Sequence, residues 1–188
     1  RQIANGQPYV YNPGLPPTSG ATSFLYPYLL AGGVLLGLDG LNLGIWAMSL
    51  GAVALAGSAY TVYRLGRLYA PPLLAALFAM LFGLSGPVTW HFMSGMETGL
   101  VVLFALLTLY GVAARQVMPS VVAASLLALI RPEGGVLALL AMAALYVALT
   151  RERGEAPDRP GRLWLLLPLL AVGVQPLVNV LVTGSAVA

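Results

Sequence analysis

Two short polar segments interrupt an apolar chain, and they carry the residues best suited to chemistry. The first is 94–98, Ser-Gly-Met-Glu-Thr, and the second is 131–134, Arg-Pro-Glu-Gly. Each lies at the end of a long apolar run. An ionisable side chain at membrane depth is costly, so by default it marks a functional site. We interpret Glu97, Arg131 and Glu133 as the centre of a polar site near one face of a membrane domain.

Each of these side chains also has a simpler interpretation. Glu97 either complements the positive end of the helix that it opens, with Ser94 as a nearby cap, or lines a cavity and binds a sugar hydroxyl, a metal ion or a basic partner. Arg131 offers a planar guanidinium suited to phosphate. It would otherwise reach the interface or pair with Glu133 or Glu97. His91 is the only histidine, and a lone histidine is more often interfacial than a metal ligand.

Composition places the chain among membrane proteins. Of its 188 residues, 59% are hydrophobic and 8% are charged, against about 25% charged in soluble domains. All nine basic residues are Arg and form no stripe, so nucleic acid is not an expected partner. The absence of Cys excludes disulfides, thiolate catalysis and Cys-ligated metals.

The apolar runs predict an all-α fold, a polytopic transmembrane helical bundle of about six spans plus a juxtamembrane helix, since a span needs about 20 apolar residues. The run 22–37 is short and contains Pro27, so we expect it to lie on the membrane surface or to be re-entrant. The run 119–130 is also short, and we expect it to cross where neighbouring helices or a cavity thin the bilayer. The expected spans are 43–63, 71–90, 97–114, 119–130, 134–150 and 163–183.

The distribution of Arg predicts how these spans are oriented. Arg residues mark the loops near 64–67, 115 and 151–162, which alternate along the predicted topology and should therefore be cytoplasmic. Glu97 and Arg131 then face the extracytoplasmic side. We divide the chain into an extracytoplasmic loop with a juxtamembrane helix, 1–42, and a transmembrane region, 43–188. Because it starts without Met and stops just past an apolar run, we expect an internal fragment of a longer protein.

The first loop is rich in turn formers and hydroxyls. Its sequence predicts an extracytoplasmic loop that ends in a helix cap at Thr22 or Ser23. A functional interpretation makes it a lip over the cavity, where Asn12, Thr18 and Ser19 offer hydrogen bonds.

Five short motifs in order resemble a known family. They are Asn-Pro-Gly at 12–14, Thr-Ser-Gly-x-Thr-Ser at 18–23, Ser-Gly-Met-Glu-Thr at 94–98, Arg-Pro-Glu-Gly at 131–134 and Thr-Gly-Ser at 183–185. Over nearly the whole chain this order resembles the polytopic GT-C glycosyltransferases. It is especially similar to bacterial members of the terminal arabinofuranosyltransferase and protein mannosyltransferase-like groups.

The resemblance implies a function. Such enzymes transfer a sugar from a polyprenyl-phosphate donor to an acceptor glycan, lipid or protein on the outer face of the cell membrane, here a bacterial inner membrane. By analogy, Arg131 contacts the carrier phosphate and Glu97 lines the donor or acceptor cavity. Segment 22–37 becomes a surface helix of the first outer loop. Some members use a divalent cation, and the resemblance leaves the cofactor open.

The chain departs from the family in one respect. The family's catalytic acid is usually an Asp near the start of the first outer loop, but no Asp or Glu precedes Asp39. The resemblance therefore places the general base upstream of Arg1. A secondary transporter or flippase is the main alternative, since outward polar residues and broken helices suit it too. A third interpretation is a structural membrane subunit in which Glu97 and Arg131 only form an ion pair.

Overall fold

A computed structural model describes residues 2–8, 10, 23–153 and 163–183. Its regular structure within these ranges is helical, without strands, which confirms the all-α prediction. The predicted contacts of Asn12, Thr18 and Ser19 lie outside the described residues. The helices are α1 Tyr26–Leu35, α2 Gly40–Gly66, α3 Pro72–Leu84, α4 Gly86–Met93, α5 Thr98–Ala113, α6 Val117–Ile130, α7 Pro132–Arg153 and α8 Leu167–Thr183.

Two helices, α2 and α6, each pack against several others. α2 lies between α3 and α5, and α6 contacts α5, α7 and α8. α1 rests on α2, and the indole of Trp46 donates a hydrogen bond to the carbonyl of Leu29 over 3.0 Å. α6 belongs to the short run 119–130 and has half of its residues buried. Helices on three of its sides therefore cover much of its surface.

Proline and left-handed turns set several helix boundaries. α3 and α7 begin at Pro72 and Pro132, because proline presets φ and its missing N–H is not needed in a first turn. α5 ends at a turn in which Arg115 has a left-handed φ of 57°. There the N–H of Gln116 donates to the carbonyl of Gly111 over 2.8 Å, which closes a Schellman motif.

Two helices are long and apolar enough to cross a membrane, Gly40–Gly66 and Pro132–Arg151. A third candidate is the α3–α4 pair, if it counts as one span. This is fewer than the six spans that the sequence predicts. The other apolar helices among the described residues have 10–17 residues, namely Tyr26–Leu35, Thr98–Ala113, Val117–Ile130 and Leu167–Val182.

The sequence predicts one straight helix over the run 71–90. The structure instead has two helices there, bent by 58° from each other. The break falls at Ser85, just before Gly86 and Pro87. A proline inside a helix lacks the N–H and its ring meets the carbonyl four residues earlier. That carbonyl belongs to Gly83, and the Thr89 hydroxyl donates to it instead over 3.2 Å. Hydropathy alone does not indicate this break, because apolar residues continue on both sides of Ser85.

The surface carries many large apolar side chains. Leu41, Leu73 and Leu181 are 90%, 84% and 75% exposed. The buried face of α2 is instead made of small residues, namely Ala47, Gly51, Ala54, Ser58 and Thr61. Small residues at helix contacts and large apolar residues outside are typical of helices packed in lipid. The distribution is compatible with a membrane protein.

Candidate functional site

The structure brings the two polar segments together through Glu97 and Arg131, 34 positions apart in the sequence. Nε and Nη2 of Arg131 each lie 3.0 Å from Oε1 of Glu97. The Glu97 side chain is 10% exposed and that of Arg131 is 33% exposed. Both nitrogens share one carboxylate oxygen, so the pair is a charge-assisted hydrogen-bonded contact that orients the guanidinium.

Local sequence explains how the pair is positioned. Glu97 directly precedes the first turn of α5, and Arg131 directly follows the last turn of α6. These helices follow one another and pack together, so the start of one meets the end of the other. Arg131 has an extended backbone, with φ −144° and ψ 133°. Because Pro132 disfavours the helical conformation of the residue before it, α6 ends where the guanidinium is needed.

A second carboxylate lies on the solvent side of Arg131. Nη1 of Arg131 is 3.8 Å from Oε1 of Glu133, which belongs to the first turn of α7 and is 74% exposed. Arg131 thus sits between a buried carboxylate that holds two of its nitrogens and an exposed one that approaches the third.

The start of α1 closes over this site. The Tyr26 hydroxyl donates to the carbonyl of Gly95 over 2.6 Å, and the N–H of Leu25 donates to the carbonyl of Leu129 over 3.1 Å. The Ser23 hydroxyl accepts a hydrogen bond from the N–H of Tyr26 over 3.2 Å. The cap residue of α1 is Leu25, however, and not Thr22 or Ser23 as the sequence predicts. The start of α1 is therefore tied to the first polar segment and to the end of α6.

The sequence did not predict a place for Tyr26 in this site. Burial raises the pKa of its phenol, and the negative charge of Glu97 raises it further, so the group stays protonated and able to donate. Nothing in its spacing pointed to a partner at Gly95. The only signal was an aromatic hydroxyl directly before Pro27, at the end of a loop rich in hydroxyls.

Two residues in or just before the first polar segment, Ser94 and His91, are not part of the contact between Glu97 and Arg131. Ser94 does not cap α5, because its hydroxyl donates to the carbonyl of His91 over 2.8 Å, and Glu97 occupies the cap position without a side-chain cap bond. His91 is exposed on α4, and within the described part of the chain its ring has no hydrogen bond or ion pair with Glu97 or Arg131.

The ionisable groups of the site are one guanidinium and two carboxylates. In the described ranges, no three His, Cys, Asp or Glu residues are grouped so that they could hold a metal ion. What converges is one oriented guanidinium, two carboxylates and a neutral phenol. No family model, curated protein or solved structure matches this chain.

Proposed function

We propose that the chain is part of a GT-C-type membrane glycosyltransferase, which transfers a sugar from a polyprenyl-phosphate donor to an acceptor on the extracytoplasmic face. One observation carries this proposal: Glu97 holds Arg131 by two nitrogens at one end of an apolar bundle, while the third nitrogen lies 3.8 Å from the exposed carboxylate of Glu133. In this proposal Arg131 binds the carrier phosphate and Glu97 orients Arg131 in the cavity wall.

The geometry suits a leaving phosphate. A guanidinium held in place needs no reorganisation when negative charge develops on the phosphate, which is how fixed donors lower a barrier. Glu133 competes for the same nitrogen, but an exposed ion pair at this distance is worth only about 0–1 kcal/mol. A phosphate that displaces it therefore loses little. The proposal assigns the general base to none of these residues.

The proposal includes about six crossings. α2 and α7 cross, α3 and α4 together form one crossing, and α5, α6 and α8 supply three more, with α1 on the surface. The cover that neighbouring helices give to α6 supports a short span there, because a bundle shields a helix from lipid. The Arg-rich loops then face the cytoplasm, and Glu97 and Arg131 face outward.

A secondary transporter or flippase is the second candidate. The observation in its favour is the 58° break between α3 and α4, since broken helices often line transport sites. Its charges would be expected near the middle of the bilayer, whereas Glu97 and Arg131 lie at the ends of α5 and α6. This placement favours the transferase.

Binding of a carrier mimic tests the first step. Farnesyl phosphate and farnesol share an isoprenoid chain and differ in the phosphate. We expect farnesyl phosphate to raise the Tm of the purified whole protein in detergent, and farnesol to leave it unchanged. Arg131→Ala should remove the response, and Arg67→Ala, an exposed Arg at the other end of the bundle, should retain it. Equal responses to both compounds, or an unchanged response in Arg131→Ala, would refute the phosphate site.

A charge swap separates the enzyme from a structural subunit. Glu97→Arg combined with Arg131→Glu restores an ion pair but removes the oriented guanidinium. If the pair serves folding alone, the double variant recovers both abundance and activity. If Arg131 binds phosphate, the double variant recovers abundance but transfers no sugar from a polyprenyl-phosphate-sugar donor in membranes. A transporter would instead show substrate uptake into vesicles that depends on Arg131, without sugar transfer by the wild type.

A further inference from the structure

Arg64, near the end of α2, is held by two phenols. Its Nη1 donates to the hydroxyl of Tyr60 over 3.0 Å, and its Nη2 donates to the hydroxyl of Tyr110 on α5 over 2.6 Å. The guanidinium carbon lies 5.8 Å from the ring centre of Tyr60 and 5.2 Å from that of Tyr110. Two hydroxyls and two aromatic rings therefore orient one exposed guanidinium at this end of α2.

The two hydroxyls that hold Arg64 can still donate. A guanidinium has donors only, so each phenol oxygen accepts from Arg64 and keeps its own O–H proton for another partner. Within the described ranges, neither Tyr60 nor Tyr110 donates that proton to another group. The sequences of α2 to α6 contain no Asp or Glu. Three neighbouring side chains thus present a positive charge and two hydroxyl donors, which together suit an anion.

An apolar groove with a volume of about 620 Å³ begins beside this cluster and runs between α2 and α3. Its α2 wall consists of Ala52, Leu55, Ala56, Ala59, Tyr60 and Tyr63, which helical spacing puts on one face. Tyr60 therefore belongs both to the groove and to the contacts of Arg64. Ala52 and Tyr63 are eleven residues apart, so the wall is about 16 Å long. One leaflet supplies about half of a hydrocarbon core of about 30 Å, so the groove matches one leaflet in length.

Small side chains on both helices form the floor of the groove. On α3 the lining includes Ala76, Ala79 and Gly83. A Cβ at Gly83 would lie 3.6 Å from that of Ala59, so the two helices are close here. The groove is therefore a shallow channel without charge along its length, and its polar groups lie at the Arg64 end.

We propose that this groove binds an acidic phospholipid, with the phosphate at Arg64, Tyr60 and Tyr110 and one acyl chain between α2 and α3. Basic pockets between membrane helices on the cytoplasmic side bind anionic headgroups in this way. A free phosphate would use the donors but not the apolar wall that adjoins them. The site is separate from the polar segments, because Ala47 packs beside Gly95 and Arg64 is seventeen residues, or about 25 Å, further along α2.

Three probes distinguish the sources of phosphate. Dioctanoyl phosphatidylglycerol is the expected ligand, dioctanoyl phosphatidylcholine tests for acyl chains without net charge, and inorganic phosphate tests for a simple anion site. We expect phosphatidylglycerol alone to raise the Tm of the purified whole protein in detergent, and native mass spectrometry to show one tightly held molecule. An equal effect of either other probe would overturn the proposal. Absence of any effect of phosphatidylglycerol would also overturn it, because another acceptor would then occupy the donors.

Variants assign the response to the groove. Arg64→Gln should weaken phosphatidylglycerol binding about five-fold, since one Arg near an anionic lipid contributes about 1 kcal/mol. Arg64 is exposed, so folding should survive. Arg67→Gln removes the same charge three residues further along, where the guanidinium donates to the carbonyl of Ala70 over 3.3 Å, and should have a smaller effect. Ala56→Leu fills an exposed part of the channel without a change of charge and should also weaken binding.

Two further variants separate this site from a general attraction to charge and from the polar segments. Tyr110→Phe keeps the charge of Arg64 but removes one of the hydroxyls, so it should weaken phosphatidylglycerol binding as well. Arg131→Ala should leave that binding unchanged. Equal losses in Arg64→Gln and Arg67→Gln would indicate a diffuse surface attraction and would overturn the proposal. Unchanged binding in both Arg64→Gln and Ala56→Leu would overturn it too, whatever farnesyl phosphate does.

Discussion

Tyr26 and Gly95 lie 69 positions apart in the sequence and are joined by a hydrogen bond of 2.6 Å from the phenol to the backbone carbonyl. Gly95 has a left-handed φ of 72°, in the short connection between α4 and Glu97. The bond therefore fastens the start of α1 to the backbone that carries the buried carboxylate. We expect loss of this hydrogen bond to loosen the position of Glu97 and, through Glu97, that of Arg131.

Replacement of Tyr26 by Phe tests this hydrogen bond. Removal of a partly buried hydrogen bond costs about 1 kcal/mol, and the Gly95 carbonyl loses its partner. We expect a lower Tm and weaker binding of farnesyl phosphate, because the loop before Glu97 is less fixed. Tyr28→Phe is the matched control, since Tyr28 lies two residues further along α1 and is 38% exposed. Equal effects of the two substitutions would show that the bond contributes nothing specific.

The same bond predicts a dependence on pH. Burial and the charge of Glu97 raise the pKa of Tyr26 above its ordinary value of 10.0. A raised pKa in the folded state means that the bond stabilises fully below pH 10 and loses its contribution as pH rises through the folded-state pKa. The Tm difference between wild type and Tyr26→Phe should thus be constant up to about pH 10 and shrink above it. A difference that grows in alkali would contradict this assignment.

Sequence predicted more of the site than of its surroundings. Glu97 and Arg131 begin and end consecutive apolar runs, so hydropathy and alternation alone put them at one end of the bundle. The break before Pro87 could have been predicted from the proline itself, but the continuous hydropathy of the run indicated a single helix. The hydrogen bond from Tyr26 to Gly95 could not be predicted from the sequence. Hydropathy indicates the helices and their ends, but it does not indicate which helices lie side by side. The placement of α1 against the end of α6 depends on that missing information.

The two carboxylates beside Arg131 should behave differently when neutralised. Glu97→Gln removes the buried counter-charge of the guanidinium and should lower the free energy of unfolding by about 2 kcal/mol, as expected for a hydrogen bond between charged groups. Glu133→Gln removes a long and exposed contact and should change stability by less than about 0.5 kcal/mol.

Glu133→Gln has a further consequence for binding. Because Glu133 competes with phosphate for Nη1 of Arg131, its neutralisation should tighten binding of farnesyl phosphate. Thermal unfolding and titration of the two variants measure both effects. If Glu133→Gln weakened binding, Glu133 would be a ligand rather than a competitor.

Two glycines of α2 provide a matched test of helix packing. A Cβ at Gly51 would overlap the carbonyl oxygen of Phe92, whereas a Cβ at Gly44 meets nothing within 4 Å. Gly51→Ala must push α4 away and should cost about 1–3 kcal/mol, as overpacking usually does. Gly44→Ala gains helix propensity and should be neutral or slightly stabilising. Similar melting temperatures for the two variants would show that α2 and α4 do not pack this closely.

The crossings of α5 and α6 are the part of the six-span proposal that most needs a direct test. α6 has 14 residues and so a length of about 21 Å, which is less than the hydrocarbon thickness of about 30 Å. The chain has no Cys, so single cysteines at Met96, Gln116 and Glu133 are unique reporters on exposed connections.

If both helices cross, an impermeant maleimide labels positions 96 and 133 on intact spheroplasts and labels 116 only after permeabilisation. If the two helices enter and return without crossing, all three positions label from one side. That second result would leave Glu97 and Arg131 at the same end of α5 and α6 but would place Arg115 on their side of the membrane. The positive-inside argument for Arg115 would then fail.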